Sequence, residues 1–312
     1  MLALVLAMAA WGVSFSMNRW MLEATPLAGE PWQGMSLSAL RFAAAGLPLA
    51  VWAGLILWRR RGLLRADWGR LVLLGLLAVP GYHLAANSAQ SYASASLNAV
   101  LQQMTPAVAF LGGLVFLREK LSALKVAGLA VASAGAVWYS VAAGRDALAG
   151  DNIPLAVLLV VLVAVDWTLY LVVAKRLLQR WSGMELAVVA NAIGAVILLG
   201  LAEALRSRIG GVRWSILAEL SPAGWAALAF LSLVAGILCY VLYNMGLKIV
   251  EASRAAVFGY LLVPAAMLSA LALPGNLREA LTIEKVAAAA IIIAGVWLVT
   301  WRRRAQPEQH RE

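Results

Sequence analysis

Ten apolar runs, each about as long as a bilayer is thick, divide this chain almost from end to end. They lie near residues 2–21, 36–58, 68–91, 94–117, 122–142, 154–175, 184–205, 222–247, 253–273 and 282–301. A helix needs about 20 mostly apolar residues to cross the hydrocarbon core. Lipid offers no hydrogen bonds, so a spanning segment must satisfy its own backbone, which a helix does. The connections are short except 22–35 and 206–221, so no soluble domain fits between the runs. Composition agrees: 63% of residues are hydrophobic and 13% charged, against about 45–50% and about 25% in soluble domains. The expected class is an all-α integral membrane protein of ten transmembrane helices. The N-terminal MLALVLAMAAWG has an A-x-A-like site. It lacks a basic n-region, and its apolar run continues past Trp11, so it reads as the first span.

The formal net charge is +10, but the basic residues sit in short loops between apolar runs. That placement fits a membrane protein and excludes nucleic acid as the partner. With the N-terminus inside, segments 59–70, 118–125, 175–183, 248–254 and 302–312 carry 17 Lys and Arg, and the opposite side carries 7. The bias predicts both termini in the cytoplasm. Loop 206–221 fits this scheme least well, and its RIGGVRWSILAEL stretch suits a short interfacial helix. The single cysteine, Cys239, lies inside an apolar run. It permits neither an intrachain disulfide nor a cysteine metal cluster. There is no G-x-x-x-x-G-K-[ST], no H-E-x-x-H and no G-x-S-x-G. The expectation is therefore no enzyme, no cofactor, no metal and no ATP use by this chain.

The second half is a diverged copy of the first. Pro106 recurs as Pro264, a shift of 158; Arg118-Glu119 recurs as Arg278-Glu279, and Gly135 as Gly295, at 160. Trp11 falls opposite Trp167 and Arg19 opposite Lys175 at 156; Trp68 falls opposite Trp225 and Asn87 opposite Asn244 at 157. This divides the chain into residues 1–145 and 150–304, followed by a tail at 305–312. Five spans per copy is an odd number, so the second copy enters the membrane inverted. Repeats of this size in an apolar chain suggest a transporter built from two related bundles around a central cavity.

Polar side chains inside the spans fall in stripes. His83, Asn87, Gln90 and Ser94 share one helical face, as do Asn98, Gln102 and Thr105, and Trp11, Ser14 and Asn18. Asp166 and Tyr170 are one turn apart with Trp167 beside them; Tyr240, Tyr243 and Asn244 form another face. Tyr82 and Tyr260 add hydroxyls. Each stripe is either a hydrogen-bonding seam between helices or one wall of a lined cavity. Taken together they suggest a cavity with flat apolar walls, lined by the first, third, fourth, sixth, eighth and ninth spans. The candidate substrate-binding residues are Trp11, Ser14, Tyr82, His83, Asn87, Gln90, Asn98, Gln102, Trp167, Tyr170, Tyr240, Tyr243, Asn244 and Tyr260. Asp166 lies about 12 residues into its span, close to the midplane at 1.5 Å per residue. It is either a proton or cation site or a structural carboxylate paired with another helix. His83 is either a second proton site or a neutral hydrogen-bonding group. Arg41, about five residues into its span, is placed to snorkel to the outer interface. Pro80, Pro106 and Pro264 each remove a backbone hydrogen bond within a span, making either a hinge or a static bend.

The chain resembles the drug/metabolite transporter superfamily, specifically its EamA-type ten-helix branch. The matching pieces are Trp11-Gly12 with Ser14-Phe15, Arg41-Phe42, and the Pro106 run ending in Arg118-Glu119-Lys120, followed by Gly128 and Gly135. The resemblance spans both halves. In the second, Asp166-Trp167-Thr168 replaces Trp-Gly, and Asn191 stands where an arginine is expected. The resemblance implies a bacterial inner-membrane exporter of small metabolites, with inverted five-helix repeats around a central cavity. Within the branch, the aromatic lining is similar to that of YddG-like exporters of aromatic and other amino acids. The resulting expectation is a secondary transporter that exports amino acids or related metabolites by alternating access, with the bilayer and a small-molecule substrate as its partners. The rival readings are drug or xenobiotic efflux by the same fold and, from another class, an intramembrane enzyme. The sequence does not fix the oligomeric state, and Gly128-Ala132-Gly135 and Ala288-Gly295 suit packing within or between monomers.

Overall fold

The computed structural model describes residues 1–27, 33–90, 92, 101–142, 152–205, 212–272 and 281–301. Among these residues every regular element is helical. The elements are α1 (Leu2–Ala24), α2 (Gln33–Arg59), α3 (Arg61–Leu76), a π-helical turn (Leu77–Gly81), α4 (Tyr82–Gln90), α5 (Met104–Leu117), α6 (Ala123–Ala142), α7 (Ile153–Leu177) and α8 (Gly183–Ala204). There follow α9 (Ile216–Glu219), α10 (Pro222–Ala229), a second π-helical segment (Phe230–Leu238), α11 (Cys239–Ile249) and α12 (Ala252–Val257). A 3-10 turn (Phe258–Leu261), α13 (Leu262–Ala270) and α14 (Ile283–Thr300) complete the chain. Eight of the described stretches are long and apolar enough to cross a membrane. A further one is α2, whose arms Gly34–Gly46 and Leu49–Arg59 meet at 54°. The break lies at Pro48, which lacks the N–H a continuous helix needs. The apolar α5 is a shorter piece of the expected fourth span, whose residues 94–100 fall outside the described ones.

Several helices start where the sequence supplies a cap. Asn152 accepts from the Leu155 amide, Ser221 from Gly224 and Thr282 from Lys285. Ser182 and Glu185 form a reciprocal capping box. The basic segment 59–70, expected as a loop, is helical apart from a turn at Arg60, so α3 begins well before the apolar run. Lys and Arg are good helix formers, and nothing in RRRGLLRADWGR stops a helix. The stretch 212–220 contains only the four-residue α9.

Helix packing follows the small residues. α6 lies along α14, α2 along α8, α1 along α13, and α5 along α7. A Cβ at Gly295 would collide with the Ala132 backbone, and one at Gly128 would stand 2.6 Å from the Gly295 carbonyl oxygen. These small faces therefore pack within the monomer, bringing two backbones together. Gly12 does the same for α1 on α13, where an added Cβ would lie 2.8 Å from the Leu262 carbonyl. Large apolar side chains such as Leu55, Val115, Val141 and Ile249 face outward, as expected of a surface solvated by lipid.

Polar contacts tie the basic connections to one another. Arg60 pairs with Glu185, Arg180 with the buried Asp67, and Lys125 with Glu251. Asp67 also accepts from the Trp181 indole at 3.1 Å. Lys175 donates to the carbonyls of Leu247 and Val250, both at 2.6 Å, and so serves the otherwise unmet C-terminal carbonyls of α11. Glu119 accepts from the amides of Ala252 and Ser253, the first at the short limit and the second at 2.8 Å, capping α12 from across the fold. Arg118, the one described non-glycine residue at positive φ (54°), makes the left-handed turn that presents Glu119.

Two substitutions test the α6–α14 contact. Gly295→Leu should lower the melting temperature in detergent and cost about 1–3 kcal/mol, the range for overpacking. Gly200→Leu, where an added Cβ meets nothing within 4 Å, should leave the melting curve unchanged.

Candidate functional site

The aromatic residues singled out by spacing converge. Trp11 from α1 meets Trp167 from α7 at 5.6 Å between ring centroids, and meets Tyr240 and Tyr243 from α11 at 5.1 and 5.6 Å. Trp167 stacks on Tyr170 at 5.1 Å with 13° between the planes. Tyr82 reaches Trp167 at 5.9 Å, and His83 joins Tyr82 at 5.2 Å and Phe42 at 4.9 Å. One aromatic cluster is thus assembled from α1, α2, α4, α7 and α11. Edge-to-face and offset pairs of this kind contribute about 0.5–1.5 kcal/mol each beyond area burial.

The two π-helical segments frame this cluster. A π-helical turn bonds its carbonyls i→i+5, and the second lone pair of such a carbonyl can accept from a side chain. The Trp11 indole N–H donates to the Ala235 carbonyl at 2.8 Å, and the Tyr240 hydroxyl donates to the Ala78 carbonyl at 2.7 Å. The two acceptors are 157 positions apart, the shift that relates Asn87 to Asn244. Arg41 serves a third site of this kind. It is 5% exposed, and its guanidinium donates to Asn18 Oδ1 at 3.1 Å and to the Leu231 carbonyl at 3.3 Å. The expectation that Arg41 snorkels to an interface is thereby corrected: a π-helical carbonyl and Asn18 hold it inside, and its Nε has no partner.

Other candidates border the cluster or stand apart from it. Asn244 accepts from the Tyr170 hydroxyl at 3.1 Å, and its buried Nδ2 has no partner. The Tyr243 hydroxyl lies toward the Trp167 indole without reaching hydrogen-bond geometry. Asp166 projects from α7 against Gly81, where an added Cβ would collide with its Oδ1; its Oδ2 is buried without a partner. Ser14 donates to its own helix, at the Trp11 carbonyl, so its hydroxyl is already engaged. Tyr260 is paired with Ser133 of α6 at 2.6 Å and has no ring contact with the cluster among the described residues. Gln102 is half-buried just before α5. Asn98 lies outside the described residues, as do the side chains of Asn87 and Gln90. Among the described residues no group of His, Cys, Asp and Glu has the arrangement to hold a metal.

The prolines differ in their effect. Pro80 lies inside the π-helical turn Leu77–Gly81. Pro106 and Pro264 are each the third residue of an α-helix, α5 and α13, just after a turn at Gln103 and the 3-10 turn Phe258–Leu261. Each sits in a first turn, where its missing N–H is tolerated. The site residues that side-chain periodicity missed are Phe42 and Gly81, together with the carbonyls of Ala78, Leu231 and Ala235. The Leu77–Gly81 turn does carry a signal, the adjacent Pro80-Gly81. The carbonyls carry none, since every residue has one.

Tyr240→Phe should lower stability by about 0.5–1.5 kcal/mol, because it removes the hydrogen bond to the Ala78 carbonyl. Thermal melting of the purified protein in detergent checks this. Tyr243→Phe, which breaks no hydrogen bond of comparable geometry, should melt close to the parent.

Comparison with known proteins gives consistent matches. The EamA-like transporter family model matches residues 1–141 and 154–301. An uncharacterized transporter of Archaeoglobus fulgidus is 27% identical over 306 residues, which is 97% of this chain and 99% of that protein. A probable terminal-alkyne amino-acid exporter of Streptantibioticus cattleyicolor is 28% identical over 300 residues, covering 96% and 93% of the two chains. A crystal structure of another protein, 22% identical, superposes with a TM-score of 0.72 over 96% of this chain and 95% of that one. At that identity the likeness speaks for the fold alone.

Proposed function

The chain belongs to the EamA-like transporter family, and on that premise we propose that it is a secondary transporter exporting amino acids or related small metabolites by alternating access. It is a multi-pass membrane protein of that family; the substrate class, the mechanism and the sidedness are the proposal. The observation that carries it is the aromatic cluster, built from helices of both halves and bordered by polar atoms without partners, Asn244 Nδ2 and Asp166 Oδ2. Flat rings suit an apolar or aromatic side chain, and the polar atoms suit the charged ends of an amino acid. The relative from Streptantibioticus, named as an amino-acid exporter, supports the same class.

The repeat reading extends to the mechanism. We take residues 1–145 and 150–304 as two inverted five-helix repeats, with 305–312 as a cytoplasmic tail. Exchange of the halves turns the α1–α13 contact into the α7–α5 contact and maps α6–α14 and α2–α8 onto themselves. The basic connections that cross-link through Arg60–Glu185, Arg180–Asp67 and Lys125–Glu251 form the cytoplasmic end, in a bacterial inner membrane with both termini inside. Pro80, Pro106 and Pro264 stand at or beside breaks in regular helix, where a rocking half needs its hinges.

Uptake of labelled phenylalanine, leucine and alanine into proteoliposomes tests the reading. Saturable uptake, competed by aromatic amino acids, is expected. Trp11→Ala and Tyr243→Ala should each lower uptake efficiency at least about tenfold, equivalent to about 1.4 kcal/mol, while the lipid-facing Trp58→Ala leaves it unchanged. Folded protein that takes up no amino acid, yet confers resistance to toxic compounds on cells expressing it, would replace amino acid export by xenobiotic efflux.

A further inference from the structure

The carboxylate of Asp166 stands beside Gly81, at the border of the cluster. Its Oδ2 is buried and unbonded, and among the described residues Asp166 makes no ion pair. Its Oδ1 packs against Gly81, and Tyr82, the next residue, faces the Trp167 ring at 5.9 Å. Tyr170, one turn on along α7, stacks on Trp167 and meets Tyr240 at 5.8 Å. Tyr82 and Tyr240 both lie within electrostatic reach of the carboxylate. The other buried charge near these rings, Arg41, is engaged by Asn18 and the Leu231 carbonyl. A carboxylate beside this aromatic cluster, with no ion-pair partner among the described residues, is uncompensated when ionised. Its chemistry is that of a site for an organic cation, which the carboxylate attracts directly and the ring faces attract through their quadrupoles.

We propose that Asp166 binds the ammonium group of the transported molecule, whose apolar body lies among Trp11, Trp167, Tyr170 and Tyr243. This rests on the reading of the aromatic cluster as the substrate site. Gly81 is part of the device. A side chain there would push into Asp166 Oδ1, so the glycine leaves the carboxylate room beside the π-helical turn. A substrate must therefore carry a protonated amine, and a carboxylate end is not required at this position.

The test compares three probes of similar shape: phenylalanine, phenethylamine, which lacks the carboxylate, and phenylpropionate, which lacks the amine. Binding is read as ligand-induced thermal stabilisation of purified protein in detergent. The parent protein should bind phenylalanine and phenethylamine, and should bind phenylpropionate at least about tenfold more weakly. Asp166→Asn should lose at least about tenfold in affinity for both amines, with Asp166→Glu recovering part of it. Parent protein that binds phenylpropionate as well as phenylalanine overturns the proposal without any variant, so misfolding of Asp166→Asn does not protect it. An Asp166→Asn protein that keeps the parent preference for amines also overturns it, and assigns Asp166 a proton or a structural role. If that variant still takes up phenylalanine normally, the inference fails while amino acid export stands. If the parent binds phenethylamine through Asp166 but transports no amino acid, the inference stands and amino acid export fails. Parent protein that binds none of the three probes overturns both.

Discussion

The centre of this protein is held by three side chains that donate across the fold to backbone carbonyls of π-helical segments. The carbonyls of Ala78, Leu231 and Ala235 lie in two π-helical segments, and each accepts from a side chain. Tyr240, Arg41 and Trp11 meet them. Each donor comes from a different stretch of chain, and two of them also carry rings into the aromatic cluster. The same bonds that tie the π-helical backbone to its neighbours therefore hold the rings in place.

Charge is handled by the same rule at the end of the molecule that carries the basic connections. Lys175 serves the last carbonyls of α11, Glu119 the first amides of α12, and Arg176 the Phe116 carbonyl at 3.2 Å. Helix ends that meet ionic side chains can be detached and remade, since each such bond is modest in net terms. The centre is different. There Arg41 is committed to the fold, and Asp166 is left open. That asymmetry is what the proposal that Asp166 binds substrate rests on.

Much of this was legible in the sequence. Run lengths gave the helices, and spacing by three and four residues brought Trp11, Trp167, Tyr170, Tyr240 and Tyr243 to one place, because that spacing puts side chains on one helical face. Arg41 was misplaced because its distance along the span says nothing of a distant π-helical segment that supplies an acceptor. Ser14 and Tyr260 carry polar groups on plausible faces, yet one hydroxyl folds back on its own helix and the other is taken by Ser133. Periodicity reports which face a side chain occupies and is blind to what it bonds. The role of Glu119 needed α12 brought beside it, a contact between residues 133 positions apart.

The most direct measurement is a structure of the protein in lipid nanodiscs at saturating phenylalanine. Density for the ligand is expected against the Trp167 and Tyr243 rings, with its amino group facing Asp166. Ligand density elsewhere, such as the apolar groove between α5 and α7 near Val108 and Thr168, with the aromatic cluster still closed on itself, would contradict it.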